Sequence, residues 1–212
     1  MSPRPRVHAR PLLALLAGLA LNVSWAAPNA DFDARLHALS TTIGQWPPRI
    51  TSAAQGADVL DRYRALEREL DDASIRQPTD ADLLVQLARL HAMGHNIEIE
   101  DAWDLAEHDY VAALKLVPGN EEAANGLALL YLNGNVALAP KAEQVLLRLQ
   151  SQSGHPLGDH ARSTLVTAYL YQRKWTPAER LARELVAKDP ANADYQELLR
   201  MATTSGQKAV AR

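Results

Sequence analysis

The pair Ala-Glu recurs at Ala106-Glu107, Ala142-Glu143 and Ala178-Glu179, each 36 residues after the last. Equal spacing demands equal structural units set side by side, so a period of this length constrains the fold more than any local propensity. Other residues repeat with it. Trp103 and Trp175 each stand three residues before the alanine of their copy. Prolines close successive segments at Pro78, Pro118, Pro156 and Pro190. "LARLH" (87–91), "LALLY" (127–131) and "LVTAY" (165–169) supply a second set of matching positions.

The texture of each copy is helical. In "KWTPAERLARELVAKDPAN" (174–192), Thr176 suits an N-cap, Pro177 the first helical position and Glu179 a capping box with Thr176, while Pro190 marks the stop. Upstream, Val59, Leu60, Tyr63, Leu66, Leu70 and Ala73 recur at three- and four-residue steps, which predicts an amphipathic helix with a charged outer face. No run alternates long enough for a strand; "NIEIE" (96–100) reads as an extended turn. Short breaks between helices force neighbours to pack antiparallel. Before Ala57, "DFDARLHALSTTI" suggests one short helix, and "GQWPPRITSAAQG" breaks it.

These positions resemble the tetratricopeptide repeat, a helix–turn–helix unit of about 34 residues. The best copy, 159–192, matches at Leu165, Tyr169, Ala178 and Pro190 and departs at Arg162, Val166 and Ala182. The middle copy supplies Leu127, Ala128, Tyr131, Ala142 and Leu146. The first supplies Leu87, Ala88, Ala106, Tyr110, Ala113 and Pro118, with His91 in the tyrosine slot. The resemblance implies an all-α fold: antiparallel helical hairpins stacked as a short right-handed α-solenoid of about three units plus flanking helices. Ala88, Ala106, Ala128, Ala142 and Ala178 then lie where helices cross, and Trp103 and Trp175 pack between units. Leucines 87, 127 and 165 are 40 and 38 residues apart, so extra residues fall in the turns "GHNIEIEDAWD" and "NGNVALAP", either as contact loops or as neutral insertions.

The expected organisation is a signal peptide over 1–26, an irregular segment over 27–56 and the helix of a degenerate leading repeat over 57–78. Three repeats follow at 79–120, 121–156 and 157–192, then a capping helix over 193–204 and a disordered tail over 205–212. Trp46, beside Pro47 and Pro48, is expected to tack the irregular segment onto the stack.

The signal reading rests on residue order. Arg4, Arg6 and Arg10 precede the apolar run "PLLALLAGLALNV", and "SWA" offers small residues for cleavage after Ala26. The run has 13 residues, against ~20 for a bilayer span. An uncleaved anchor is the alternative. Export of this kind implies a periplasmic mature chain. Taking the three arginines of that segment from the 22 basic residues leaves 19 against 25 acidic ones, a net charge near −6. That balance argues against a nucleic-acid partner, which favours a basic stripe. The chain has no cysteine, so thiol catalysis, iron–sulfur ligation and covalent haem attachment are excluded.

Chemistry has little to stand on. No G-x-S-x-G, phosphate-cradling glycine loop or H-E-x-x-H occurs, and the carboxylates fall on solvated faces. His91 and His95 stand four apart with Glu98, Glu100, Glu107 and His108 downstream, and two histidines at that spacing can ligate zinc on one helix face. Gly94 ends that helix before His95, so no metal, cofactor or catalytic residue is assigned.

The family register instead places a binding surface on the concave face, lined by first helices. It comprises Asp82, Val85, Arg89 and Met93 from the first repeat, Glu122, Asn125, Leu129 and Asn133 from the second, and His160, Ser163, Thr167 and Tyr171 from the third. Polar groups mixed with Leu and Tyr suit a peptide. The carboxylate-clamp positions of the family hold Val85, Arg89, Gly126, His160 and Thr164, so that clamp is absent. The sequence thus reads as a non-catalytic adaptor for a protein or peptide partner in envelope assembly, secretion or cytochrome maturation. The alternatives are a metal- or small-ligand-binding protein using the His91–His108 loop, and a structural homo-oligomer subunit. On fractionation, osmotic shock is expected to release a form beginning near Ala27; a full-length chain retained in the membrane would mean an anchored protein.

Overall fold

The computed structural model describes residues 28–210, and the expected signal segment, 1–26, lies outside them. Among the described residues the regular structure is helical throughout. The order is α1 (Pro28–Ile43), α2 (Ala53–Arg76), α3 (Ala81–His95), α4 (Ala102–Leu116), α5 (Glu121–Gly134), a 3-10 turn (Val136–Leu138), α6 (Ala139–Ser153), α7 (Asp159–Tyr171), α8 (Trp175–Lys188) and α9 (Ala193–Val210). They form an α-solenoid of hairpins α1–α2, α3–α4, α5–α6 and α7–α8, closed by α9. The first helices α1, α3, α5, α7 and α9 each pack on the next, and each hairpin's second helix packs on the following first helix. Successive second helices, α2, α4, α6 and α8, barely meet.

Local chemistry sets most boundaries. Ser52 accepts from the Gln55 N–H at the start of α2, Asp80 from those of Asp82 and Leu83 at α3, and Asn120 from that of Ala123 at α5. Gly154, at φ 69°, ends α6 in the left-handed conformation that favours glycine. The α8 start differs from the expected capping box. Its N-cap is Lys174, no side chain caps it, Thr176 lies inside the helix, and Glu179 pairs with Arg183 instead.

Three corrections concern the ends. The short helix expected in "DFDARLHALSTTI" is present as α1, and the segment 27–56 is less irregular than expected, because this helix buries Phe32, Leu36, Leu39 and Ile43 against α2 and α3. The leading repeat is therefore a whole hairpin. Trp46 is 67% exposed and tacks nothing down; the four apolar residues of α1 do that work. Finally, α9 does not stop at 204. It continues to Val210, and a Cβ on Gly206 would lie 3.3 Å from Trp175 Cβ, so α9 lies against the start of α8 at that point.

Burial falls into three apolar clusters: one around α1, α2 and α3, a central one from α3 to α7, and a third over α7, α8 and α9. Helix α3 belongs to two of them. Leu83, Leu87 and Leu90 face the first cluster, while Val85 and Ala88 face the second. The alanines predicted at crossings, Ala88, Ala106, Ala128, Ala142 and Ala178, are fully buried. The longer first turn is held down by Ile97 and Ile99 on the first cluster, and the second is ordered by Asn135, which accepts from the Ala137 N–H.

Aromatic rings set the seams. A Cβ on Gly94 would lie 2.5 Å from the Tyr63 hydroxyl, one on Gly126 2.4 Å from Tyr110 Cζ, and one on Gly134 2.1 Å from Trp103 Cη2. Trp103 and Trp175 are thus packing residues between units. In an unobstructed helix, Gly→Ala stabilises by ~0.5–1 kcal/mol. Gly126→Ala is expected to reverse that sign and lower stability by ~1–3 kcal/mol through overpacking against Tyr110. Gly119→Ala, with nothing within 4 Å of the new Cβ, is expected to leave the thermal midpoint nearly unchanged. Equal midpoints for the two variants would refute this packing.

Candidate functional site

The first helices present the predicted surface unevenly. Asp82, Glu122, Asn133 and His160 are exposed, and Leu129 and Tyr171 are each 41% exposed. Val85 is not a surface residue. It is 2% exposed, because α3 is enclosed by helices on several sides, and it belongs to the central core. Met93 is 7% exposed and contributes only to the floor of a hollow. Ser163 and Thr167 donate their hydroxyls to the carbonyls of Asp159 and Ser163 one turn earlier, so neither keeps a free donor for a ligand. The Asn125 Oδ1 atom is buried without a hydrogen-bond partner among the described residues.

Four of the twelve come together. Arg89, Met93, Leu129 and Asn133 line a hollow of about 210 Å³ between α3 and α5. Its wall is completed by Ser40 and Gly44 from the end of α1. Sequence reasoning missed these two because it expected a short helix there but did not dock it on the stack; the four-three-four spacing of Phe32, Leu36, Leu39 and Ile43 was the signal. The α7 residues His160, Ser163, Thr167 and Tyr171 lie outside this lining, as do Asp82, Glu122 and Asn125.

Charge on this face is largely internal. Arg89 Nη1 lies 3.2 Å from both Asp33 of α1 and Glu122 of α5, an ion-pair bridge over three successive first helices. Arg35 forms two hydrogen bonds to Glu69, tying α1 to α2. That bidentate contact holds the Glu69 carboxyl below its usual range.

The proposed metal residues disperse. His91 is buried and binds Asp109 at 2.8 Å through Nδ1, with Glu67 3.6 Å from its Nε2. His108 reaches the other Asp109 oxygen at 3.0 Å, so one carboxylate links two of the predicted histidines. His95 instead stands edge-on to the Trp103 ring, and Glu107 accepts from the Tyr131 hydroxyl. Burial pushes the nearby Asp71 carboxyl up, while His91 acts in the opposite direction. Among the described residues no three His, Asp or Glu side chains gather to hold a metal ion. The cluster cross-braces α2, α3 and α4.

Compared as a sequence, the chain matches no protein-family profile and no curated protein. Among solved structures it is similar to "Assembly Chaperone of RpL4 (Acl4) (Residues 1-338)", with 17% identity and a TM-score of 0.48. That alignment covers 86% of this chain and 61% of the other, so this chain spans about three fifths of that one's length.

The α1 wall of the hollow gives a pH test. Because the folded Glu69 lies below its ordinary value of 4.5, its ion pair stabilises the fold fully above that value. The contribution is lost as pH falls through the lowered folded value. The pair is partly solvated, so the loss is within ~1 kcal/mol. Arg35→Ala is expected to lower the urea midpoint at neutral pH and to flatten its fall on acidification below about pH 4.5. An unchanged acid limb in the variant would show that Glu69 does not carry it.

Proposed function

We propose that this chain is an exported, non-catalytic scaffold of the tetratricopeptide-repeat kind that holds a segment of a protein partner on its first-helix face. The observation that carries the reading is the hollow between α3 and α5, where Met93 and exposed Leu129 lie beside polar Arg89 and Asn133. Apolar surface there supplies burial and the polar groups orient the bound backbone, which is the division of labour in peptide grooves. Tyr171, exposed at the end of α7, offers a second apolar anchor farther along the same face. The order of charges, apolar run and small residues at the N-terminus supports a periplasmic setting. Envelope assembly, secretion and cytochrome maturation are the processes such an adaptor would serve.

The test is capture of partners from envelope extracts by the tagged mature protein. Leu129→Glu is expected to abolish capture, and Tyr171→Ala to weaken it by ~2 kcal/mol if the ring is a buried anchor. Both should leave helicity and melting unchanged. Glu184→Ala, on α8 and paired with Arg162, should capture as the unaltered chain does. Capture lost in Glu184→Ala but retained in Leu129→Glu would move the site to the other face.

A further inference from the structure

An apolar-floored hollow lies on the opposite side of the solenoid, between second helices α4 and α6. It has a volume of about 480 Å³. Its floor is the central core reaching the surface: Val111 and Leu114 from α4, Leu127 from α5, and Val145 and Leu149 from α6. The groove exists because α4 and α6 barely touch, each being held by α5 instead.

Its rim is basic on an acidic protein. Lys115 stands on one wall and Lys141 and Arg148 on the other, with no carboxylate in the lining. Elsewhere, bridging cations are matched: Arg35 with Glu69, Arg89 with Glu122, Arg162 with Glu184 and Lys174 with Glu143. Among the described residues neither Lys115 nor Arg148 meets a carboxylate, and Lys141 lies 5.2 Å over the Tyr131 ring. Glu107, the acid closest to that ring's hydroxyl, is engaged by it at 2.6 Å.

The geometry points to this groove as a docking site for an acidic amphipathic helix of a partner protein. The occupant's apolar stripe lies on Val111, Leu114 and Val145, and its flanking carboxylates meet Lys115 and Arg148. A helix suits the walls better than an extended strand. Both walls are helices whose backbone groups are already paired, so a strand would find few partners for its own amides, whereas a helix satisfies them internally. The α6 wall is 15 residues long, or ~22 Å, which accommodates about four helical turns. Charge also excludes this chain's own N-terminus, since Arg4, Arg6 and Arg10 flank its apolar run. This inference stands independently of the first-helix face.

The probe is a fluorescein-labelled helical peptide of about 15 residues, matched to α6, with leucine on one face and glutamate and glutamine on the other. A twin peptide carries lysine for every glutamate. Anisotropy titration of the full chain is expected to show binding of the glutamate peptide, weakening with added salt. Lys115→Glu combined with Arg148→Glu should reduce its affinity about tenfold or more, as reversal of complementary charges does, and should favour the lysine twin. Leu129→Glu should bind the glutamate peptide as the unaltered chain does. If the double reversal disturbs the melt, Lys115→Gln with Arg148→Gln replaces it and is expected to give a smaller loss in the same direction. Equal binding of the twins, absence of binding, or indifference to both substitutions would overturn the proposal. So would a dimer that the double reversal dissociates, which would assign the groove to a second copy.

Discussion

The stack depends on one repeated contact, an aromatic ring near the start or middle of a second helix seated against a glycine near the end of the next first helix. The Tyr63 ring meets Gly94 and the Trp103 ring meets Gly134, while Gly206 lies against the Cβ of Trp175; the partners are 31 residues apart in every case. Alanines at the crossings let helices approach, but a seam of small residues resists sliding poorly. A ring against a missing side chain fixes register along the axis, because displacement by one residue would set the ring against a Cβ. At the corresponding numbers of the third hairpin the sizes are exchanged, Ala139 and Leu170, both buried. There Gln172 makes the link by donating to the Ala139 carbonyl and to Glu143.

This contact explains what the sequence disclosed and what it hid. The 36-residue spacing and the two tryptophans lie on the half of the contact that stands out by residue type, so hairpins α3–α4, α5–α6 and α7–α8 were legible. The glycine half is silent, because a glycine within a helical pattern reads as weak propensity or as a break. Gly94 was read as a helix end, and Gly206 fell in a segment expected to be disordered. Recognising the glycine partner of Trp175 would have extended α9. In the α1 region the short helix was legible but its docking was not: the Pro-Pro turn after it drew the segment out of the repeats, although the spacing of Phe32, Leu36, Leu39 and Ile43 docks it.

The site was less legible than the fold, for a reason visible at Val85. Register says which residues of a first helix point away from its own hairpin, but not whether a neighbouring hairpin covers them. Val85 and Met93 of α3 are enclosed by neighbouring helices, while Asn133, at the position of α5 that matches Met93, is exposed. Ser163 and Thr167 fail for another reason. Their short hydroxyls reach the carbonyl one turn back, a local competitor that a surface pattern does not reveal.

The two faces differ in how much of their charge is free. On the first-helix side the helices touch in succession, so cations and carboxylates fall within reach of each other and Arg89 is shared by Asp33 and Glu122. A ligand that recruits Arg89 must displace solvated pairs worth ~0.2–1 kcal/mol each, which leaves apolar shape as the main source of affinity there. On the second-helix side the gap between α4 and α6 keeps Lys115 and Arg148 apart from any carboxylate. The same spacing that exposes the core floor therefore leaves the rim charge available. One packing rule, first helices in contact and second helices apart, thus pairs Arg89 on one face and leaves the basic rim between α4 and α6 without carboxylates among the described residues.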